Sequence, residues 1–122
     1  MIRKEPHYYI ELSSTDKDIV VVKCIGDWVS PFSPYFIDAV RQQLNSGTKA
    51  IILDLSGITF LDSAGLGTLL AAYSSARSKG ACCSFAQSAR VGFALVQAKV
   101  NVPYFDTVDE AIVGARICLK RD

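Results

Sequence analysis

Residues 50–70, AIILDLSGITFLDSAGLGTLL, restrict the fold of this chain more than any other stretch of its 122 residues. They begin with AIIL, a continuous apolar run that is typical of a parallel strand covered on both faces. A polar loop follows at residues 62–65, and apolar residues then recur at the spacing of a helix. A buried strand that leads through a short loop into a helix predicts an α/β fold with a parallel sheet.

The rest of the chain alternates strand and helix patterns in the same way. Residues 8–12 and 19–25 are rich in β-branched and aromatic residues and flank a polar turn, so we expect an antiparallel hairpin. Further strands are predicted at residues 82–86 and 104–105, and helices at residues 34–45, 66–78, 88–96 and 107–120. The predicted fold is a single α/β domain over residues 8–122, with a mixed, mostly parallel β-sheet and about four helices. Residues 1–7 are polar and are expected to form a flexible N-terminal tail.

Charge and hydropathy exclude several classes of partner. Thirteen basic and twelve acidic residues give a formal net charge of +1, which favours neither nucleic acid nor an anionic membrane surface as a partner. Residues 1–10 lack the apolar segment of a signal peptide, and no apolar run approaches the roughly 20 residues of a membrane helix. We therefore expect a cytoplasmic protein without direct membrane insertion.

The four cysteines, Cys24, Cys82, Cys83 and Cys118, have no C-x-x-C spacing, and His7 is the only histidine. This pattern predicts no zinc or other metal site. If residues 82–86 form a strand, Cys82 and Cys83 point to opposite faces and cannot line one site. We expect buried or half-buried reduced thiols, and a redox role is the alternative.

Two loops meet at the carboxyl edge of the predicted sheet, residues 26–34 and 57–65, where partners of α/β folds commonly bind. In the second loop, Asp62 or Ser63 can cap the following helix through a side-chain oxygen. One of them can cap while the other stays exposed at the positive end of the helix dipole. The spacing of Gly65 and Gly67 lacks the lysine and the further glycines of phosphate-binding loops, so no cofactor is predicted.

Aromatic and apolar residues cluster in or beside the first loop, at Trp28, Val29, Phe32 and Tyr35. Aromatic residues are enriched at the desolvated centres of protein interfaces, so these side chains are candidate anchors for a protein partner. The alternative is that Phe32 and Trp28 close the end of the hydrophobic core. With one histidine in the tail, an activated serine nucleophile lacks its base, so no catalytic residue and no enzyme are predicted.

Residues 53–67, LDLSGITFLDSAGLG, closely resemble the signature of the STAS domain of bacterial anti-sigma factor antagonists. Looser similarities flank the signature and extend the resemblance to roughly residues 8–118. The resemblance implies a mixed sheet with helices stacked mainly on one side. It also implies that the serine directly after the signature aspartate, here Ser63, is phosphorylated by a partner that is both anti-sigma factor and serine kinase. A phosphatase is a further candidate partner.

The resemblance and the loop arrangement together predict a phosphorylation site at Ser63 within a partner-binding surface. That surface consists of Asp62, Ser63, Ala64, Gly65, Leu66 and Gly67 in the second loop, and Asp27, Trp28, Val29 and Phe32 in the first. A phosphate on Ser63 would add about −1.5 to −2 charges beside Asp62 and so weaken partner binding.

Two functions remain open. The first is that of an anti-sigma factor antagonist, which binds its anti-sigma partner when unphosphorylated and so regulates sigma-factor-dependent transcription. The alternative is a STAS assembly subunit of a lipid-transport or stress-signalling complex, without a phosphorylation cycle. This alternative rests on Val29, because members regulated by phosphorylation often carry an aspartate three residues after the glycine that matches Gly26.

Overall fold

The computed structural model describes residues 2–4, 8–28, 33–86 and 102–120. These residues form β1 (Ile2–Lys4), β2 (Tyr8–Asp16), β3 (Ile19–Trp28), α1 (Ser33–Asn45), β4 (Ala50–Leu61), α2 (Ser63–Ser78), β5 (Cys82–Ala86), β6 (Tyr104–Phe105) and α3 (Val108–Lys120). The helix predicted at residues 88–96 lies outside the described residues, so the predicted four helices become three within them. None of these three helices is long and apolar enough to cross a membrane.

The strands form one sheet in the order β1-β2-β3-β4-β5-β6. The pairs β1–β2 and β2–β3 are antiparallel. The pairs β3–β4, β4–β5 and β5–β6 are parallel. The predicted α/β class, the mixed sheet and the β2–β3 hairpin are therefore confirmed. β4 continues to Leu61, well beyond the apolar run at residues 50–53, because two register shifts keep its second half paired with β3 as far as Trp28.

Strand β1 lies within the segment that was expected to be a flexible tail. Ile2–Lys4 pairs antiparallel with residues 9–11 of β2. The outer edge of β2 offers backbone N–H and C=O groups that a neighbouring strand can satisfy without any apolar pattern. The polar composition of residues 1–7 carries no signal of this pairing, and the expectation of a tail is corrected for residues 2–4.

Alternation along the strands divides the core between the two faces of the sheet. On the first face, α1 and α2 cover a large apolar cluster that includes Val22 and Leu53. On the second face, α3 covers a smaller cluster that includes Val21 and Ile52. The expected stacking of helices on one side therefore holds for α1 and α2, and α3 departs from it. The second face needs this cover because β3 and β4 are apolar on both sides.

Cys82 and Cys118 form a disulfide, so the expectation of reduced thiols is wrong for these two residues. Packing of α3 against β5 brings their Cα atoms to 6.4 Å, which is within the range that a disulfide spans. Cys82 packs with the second-face cluster and Cys83 belongs to the first-face cluster, so the two point to opposite faces as predicted. The bonded residues are 36 positions apart, and only the tertiary packing reveals the pair.

Cys24 and Cys83 are free and buried. Burial raises the pKa of the Cys83 thiol to about 12, against a smaller opposing effect of the Arg77 charge. Burial, with a smaller contribution from the Asp54 charge, raises the pKa of Cys24 well above its usual value. Both thiols therefore stay protonated near neutral pH, where a protonated thiol is a poor nucleophile.

Candidate partner-binding site

β3 and β4 end side by side at the carboxyl edge of the sheet, where α2 begins. Trp28 is the register partner of Leu61 at this edge. Asp62 donates its backbone N–H to the Trp28 carbonyl oxygen at 3.3 Å, and the chain enters α2 at Ser63. Residues 26–28 of the first predicted loop and residues 61–63 of the second therefore lie side by side. Val29 and Phe32, which were predicted to join them, lie outside the described residues.

Asp62 caps helix α2. Its backbone is extended, with φ of −103° and ψ of −179°, and its side-chain Oδ1 accepts a hydrogen bond from the Gly65 N–H at 2.7 Å. Its carbonyl oxygen also accepts from the Leu66 N–H at 3.0 Å. This arrangement satisfies donors that a helix start would otherwise leave without partners. Of the two candidates in the sequence, Asp62 is therefore the cap, and Ser63 is the exposed first residue of the helix.

Gly65 allows α2 to approach the end of β3. A Cβ atom added at Gly65 would collide with the Trp28 carbonyl oxygen and would lie 2.9 Å from the Leu61 Cδ1 atom. A Cβ at Gly67 would meet nothing within 4 Å, and Gly67 is exposed. The two glycines of the signature thus differ in role, because only Gly65 is required by the contact between α2 and the sheet.

Trp28 lies inside the core, with 0% of its surface exposed. Its ring meets the ring of Phe36 edge to face, with centroids 4.8 Å apart, and its Nε1–H donates to the Ile25 carbonyl oxygen at 3.2 Å. The ring is therefore not available as an anchor for a partner, which corrects that expectation and favours the alternative that Trp28 closes the core. Its backbone nevertheless supports the site, through its contacts with Asp62 and Gly65.

Asp27 precedes Trp28 in β3, and its side chain is hydrogen-bonded to β4. Its Oδ1 accepts a hydrogen bond from the Thr59 hydroxyl at 2.7 Å, and its register partner on β4 is Phe60. This bond directs the carboxylate of Asp27 to β4 and gives the polar Thr59 side chain a charged acceptor. The structure thus gives Asp27 a local partner at the edge of the site.

Phe60 was missed by the sequence analysis. It is 55% exposed and stands at the end of β4, three residues before Ser63. Register shifts between β3 and β4 interrupt the two-residue alternation in this stretch, so Thr59 and Phe60 are both exposed and no pattern in the sequence marks Phe60. Tyr35, from the predicted aromatic cluster, is 41% exposed on α1.

The exposed residues of the α2 start and the β4 end define one patch, which we call the loop surface. It consists of Thr59, Phe60, Ser63, Ala64 and Gly67, all of which are exposed. Ser63 and Gly67 are four positions apart in α2 and so share one side of the helix. Leu66 faces the other way and packs against the first-face cluster. The loop surface carries the hydroxyls of Thr59 and Ser63, and the half-buried carboxylates of Asp27 and Asp62 lie at its edge.

Possible ligand sites in the part of the chain that the structure describes are its groups of metal-ligating side chains and its cavities. Across residues 2–4, 8–28, 33–86 and 102–120, no group of three or more His, Cys, Asp or Glu side chains is placed to hold a metal ion. Two cavities near Cys118 have volumes of about 80 and 180 Å³, below the roughly 300–1,000 Å³ of most ligand pockets.

Comparison with known proteins agrees with the fold. The sequence pattern of the STAS domain matches residues 9–111. A search of curated protein sequences found no match.

Several solved structures share the architecture. An anti-sigma factor antagonist from Mycobacterium paratuberculosis is 22% identical, with a TM-score of 0.75 and coverage of 93% of this chain and 99% of that chain. The phosphorylated form of the Bacillus cell fate determinant SpoIIAA is 16% identical, with a TM-score of 0.68 and coverage of 84% and 96%. The murine anion transporter Slc26a9 is 19% identical, with a TM-score of 0.69 and coverage of 82% of this chain and 18% of the transporter. At these identities the likeness shows a shared fold.

The two glycines of the signature should respond in opposite ways to the same substitution. Gly65→Ala should destabilise the domain by about 1–3 kcal/mol, because α2 must move away from Trp28 to relieve the overlap. Gly67→Ala should be neutral or stabilise it by up to about 1 kcal/mol, because alanine favours the helix and meets no neighbour. Urea denaturation of both variants measures the difference. Equal effects of the two substitutions would show that α2 does not make this close contact with the end of β3.

Proposed function

Because the chain belongs to the STAS domain family, we propose that it is an anti-sigma factor antagonist switched by phosphorylation of Ser63. The observation that carries this proposal is that two neighbouring residues at the start of α2 have different roles. Asp62 caps the helix, which leaves Ser63 exposed at the first helical position. A hydroxyl that is not needed to hold the helix can be modified without loss of the fold.

In the unphosphorylated state, the loop surface is suited to cover by a protein partner. The Asp27 and Asp62 carboxylates beside it already accept hydrogen bonds within the domain, which lowers the cost of covering them with a partner. Phe60 supplies exposed apolar area of the kind that anchors interfaces, and Ser63 can exchange hydrogen bonds with the partner. The partner proposed is an anti-sigma factor that is also a serine kinase, whose occupation would release a sigma factor for transcription.

Phosphorylation acts by charge rather than by unfolding. A phosphate on Ser63 adds about −1.5 to −2 charges beside the Asp62 carboxylate. The interaction of this charge with the positive end of α2 contributes only about 0.3–1 kcal/mol at an exposed position. Burying a doubly charged group under a partner costs far more than that unless the partner supplies matching positive charge. The phosphorylated protein should therefore stay folded and dissociate, until a phosphatase removes the group. We place this cycle in the cytoplasm.

Asp27 and Val29 bear on how efficient the phosphorylation is. The acidic residue that often assists in this family would stand at Val29, and this chain has Asp27 two positions earlier. The Asp27 carboxylate is bonded to the Thr59 hydroxyl. We therefore propose that Asp27 shapes the edge of the partner surface rather than assisting phosphate transfer.

A second candidate function is a STAS assembly subunit of a lipid-transport or stress-signalling complex. The valine at position 29 favours it, since a subunit without a phosphorylation cycle has no use for the acidic residue. In that case the loop surface would still bind protein, and Ser63 would remain unmodified.

Substitution of Ser63 tests the switch. Ser63→Asp should weaken binding to an anti-sigma factor kinase from the source organism at least roughly tenfold, about 1.4 kcal/mol, because it places a second carboxylate beside Asp62. Ser63→Ala should keep the affinity but accept no phosphate. Titration calorimetry gives the affinities, and intact-mass measurement after incubation with the kinase and ATP detects the phosphate.

Ser46→Asp is the matched control for this experiment. Ser46 is exposed in the turn after α1, at the opposite end of β4 from Ser63, so the added charge should leave binding unchanged. Wild-type affinity of Ser63→Asp would contradict the switch. Absence of phosphate on wild-type Ser63, together with stable binding to transporter subunits, would favour the assembly subunit instead.

Phe60 should be an anchor of the proposed interface. Phe60→Ala should weaken binding to the same kinase by about 1–2 kcal/mol, roughly 5–30-fold, because it removes most of the exposed apolar area beside Ser63. Ile117→Ala is the control, since Ile117 on α3 is similarly exposed, at 53%, but lies away from the loop surface. Thermal unfolding should be nearly unchanged in both variants. If Phe60→Ala and Ile117→Ala bound the kinase with equal affinity, Phe60 would not be part of the interface.

A further inference from the structure

We propose that the Cys82–Cys118 disulfide is a reversible thiol–disulfide exchange site, opened by a dithiol reductant, and that its state determines whether α3 stays docked on the sheet. The proposal concerns the second face of the sheet and does not depend on the proposed function of the loop surface. It rests on the access to the bond, the way in which α3 is attached, and the position of Arg77.

The disulfide is accessible to an external thiolate. Cys82 and Cys118 are both half-buried, and both line an open cleft of about 180 Å³ together with Arg77, Gly80 and Ala81. Gly80 contributes no side chain, which leaves the cleft open on that side. Cys24 and Cys83, by contrast, are buried within the first-face cluster. A reductant can therefore reach the bonded pair and not the free thiols.

Helix α3 contacts the second-face cluster through two buried alanines and through Val108, Ile112 and Leu119, which are half-buried. Ala111 and Ala115 are its buried residues, and Gly114 lies so close to the Phe105 ring that a Cβ there would be 2.5 Å from it. Val113 and Ile117 point away from the sheet, at 55% and 53% exposure. A buried alanine removes far less apolar area from water than a buried leucine or isoleucine. Because only alanines of α3 are fully buried, the covalent link in its last turn adds a further constraint to these apolar contacts.

Reduction proceeds through two successive thiol–disulfide exchange steps. A thiolate of the reductant attacks Cys118 Sγ, the bond between Cys82 and Cys118 breaks, and Cys82 leaves as a thiolate that takes a proton from water. The second thiol of the reductant then attacks the mixed disulfide and releases Cys118 as a thiol. The protein gains two electrons and two protons, and the dithiol becomes a cyclic disulfide.

Arg77 lowers the barrier to this exchange. Arg77 lines the same cleft as Cys82 and Cys118, and its charge already acts on the neighbouring Cys83. A positive charge beside the leaving sulfur stabilises the departing thiolate, and a better leaving group speeds exchange. Cys83 also borders the smaller cavity beside Cys118, but burial raises its pKa to about 12, so its protonated thiol is a weak competitor for Cys118.

Reduction exposes the second face of the sheet. The cluster under α3 contains Ile19, Val21, Ala50, Ile52 and Ala86. When α3 loses its covalent link, local opening of the helix gives water access to this face while α1 and α2 keep the first face covered. Such local opening is a separate, lower-energy event than global unfolding.

Equilibration of the wild-type protein in buffers of reduced and oxidised dithiothreitol tests the exchange. Alkylation of the free thiols followed by intact-mass measurement gives the fraction reduced, and hydrogen exchange of the same samples reports on α3. We expect full, reversible reduction without denaturant, with amides of α3 exchanging at least roughly tenfold faster in the reduced protein and those of α1 unchanged. A bond that resists excess reductant in the folded protein, or an α3 that stays equally protected after reduction, would overturn the proposal.

Variants separate the roles of the residues. Cys118→Ser should reproduce the fast exchange of α3 without any reductant, whereas Cys83→Ala should leave α3 protected in oxidising buffer. Arg77→Gln should slow reduction of the bond by roughly 3–10-fold, and Arg77→Lys should retain most of the rate, because the charge remains. A Cys118→Ser variant with the wild-type protection of α3, or equal reduction rates of the two Arg77 variants, would contradict the corresponding step.

Discussion

The contact between the first turn of α2 and the backbone of Trp28 is the constraint on which the candidate site depends. The Trp28 carbonyl oxygen accepts the Asp62 N–H and lies where a Cβ of residue 65 would be. The buried ring of Trp28 holds that carbonyl in place from within the core. With the turn held by β3 on one side and by the Asp62 cap on the other, Ser63 is exposed without being needed for stability. The proposed switch uses this freedom, because a phosphate on Ser63 changes the charge of the surface and not the path of the chain.

The two faces of the sheet differ in how firmly their helices are attached. α1 and α2 cover the first face with a large cluster that contains Phe36, Leu69 and Phe85. α3 covers the second face through two buried alanines, the half-buried Val108, Ile112 and Leu119, and a disulfide. The loop surface lies at the carboxyl edge of the sheet, where β4 ends and α2 begins. The second face can respond to a change in redox conditions without disturbing the start of α2.

The sequence was sufficient for most of the fold because periodic patterns and turn residues carried the signal. The apolar run at residues 50–53 identified a buried strand, and Gly47, with φ of 102°, follows α1 where a helix end was expected. β1 could not be predicted, because an edge strand can be held by backbone pairing alone. The second half of β4 was obscured by register shifts that interrupt the alternation.

The site was predictable to the extent that it depends on local chemistry. Asp62 and Ser63 were both recognised as possible caps, and the choice between them required the geometry of the Gly65 N–H. The burial of Trp28, the exposure of Phe60 and the pairing of Cys82 with Cys118 all depend on how distant segments pack. No spacing rule could supply them.

Asp62 caps α2, and Ser63 takes no part in the cap. Hydrogen exchange at the Gly65 amide in two variants tests this assignment most directly. Asp62→Ala should speed exchange of this amide roughly fivefold, as expected for a cap worth about 1 kcal/mol. Ser63→Ala should leave the rate unchanged, because the Ser63 hydroxyl takes no part in the cap. If Ser63→Ala exposed the Gly65 amide and Asp62→Ala did not, Ser63 would be the cap. A phosphate there would then act by disrupting α2, which would contradict a switch that works by charge alone.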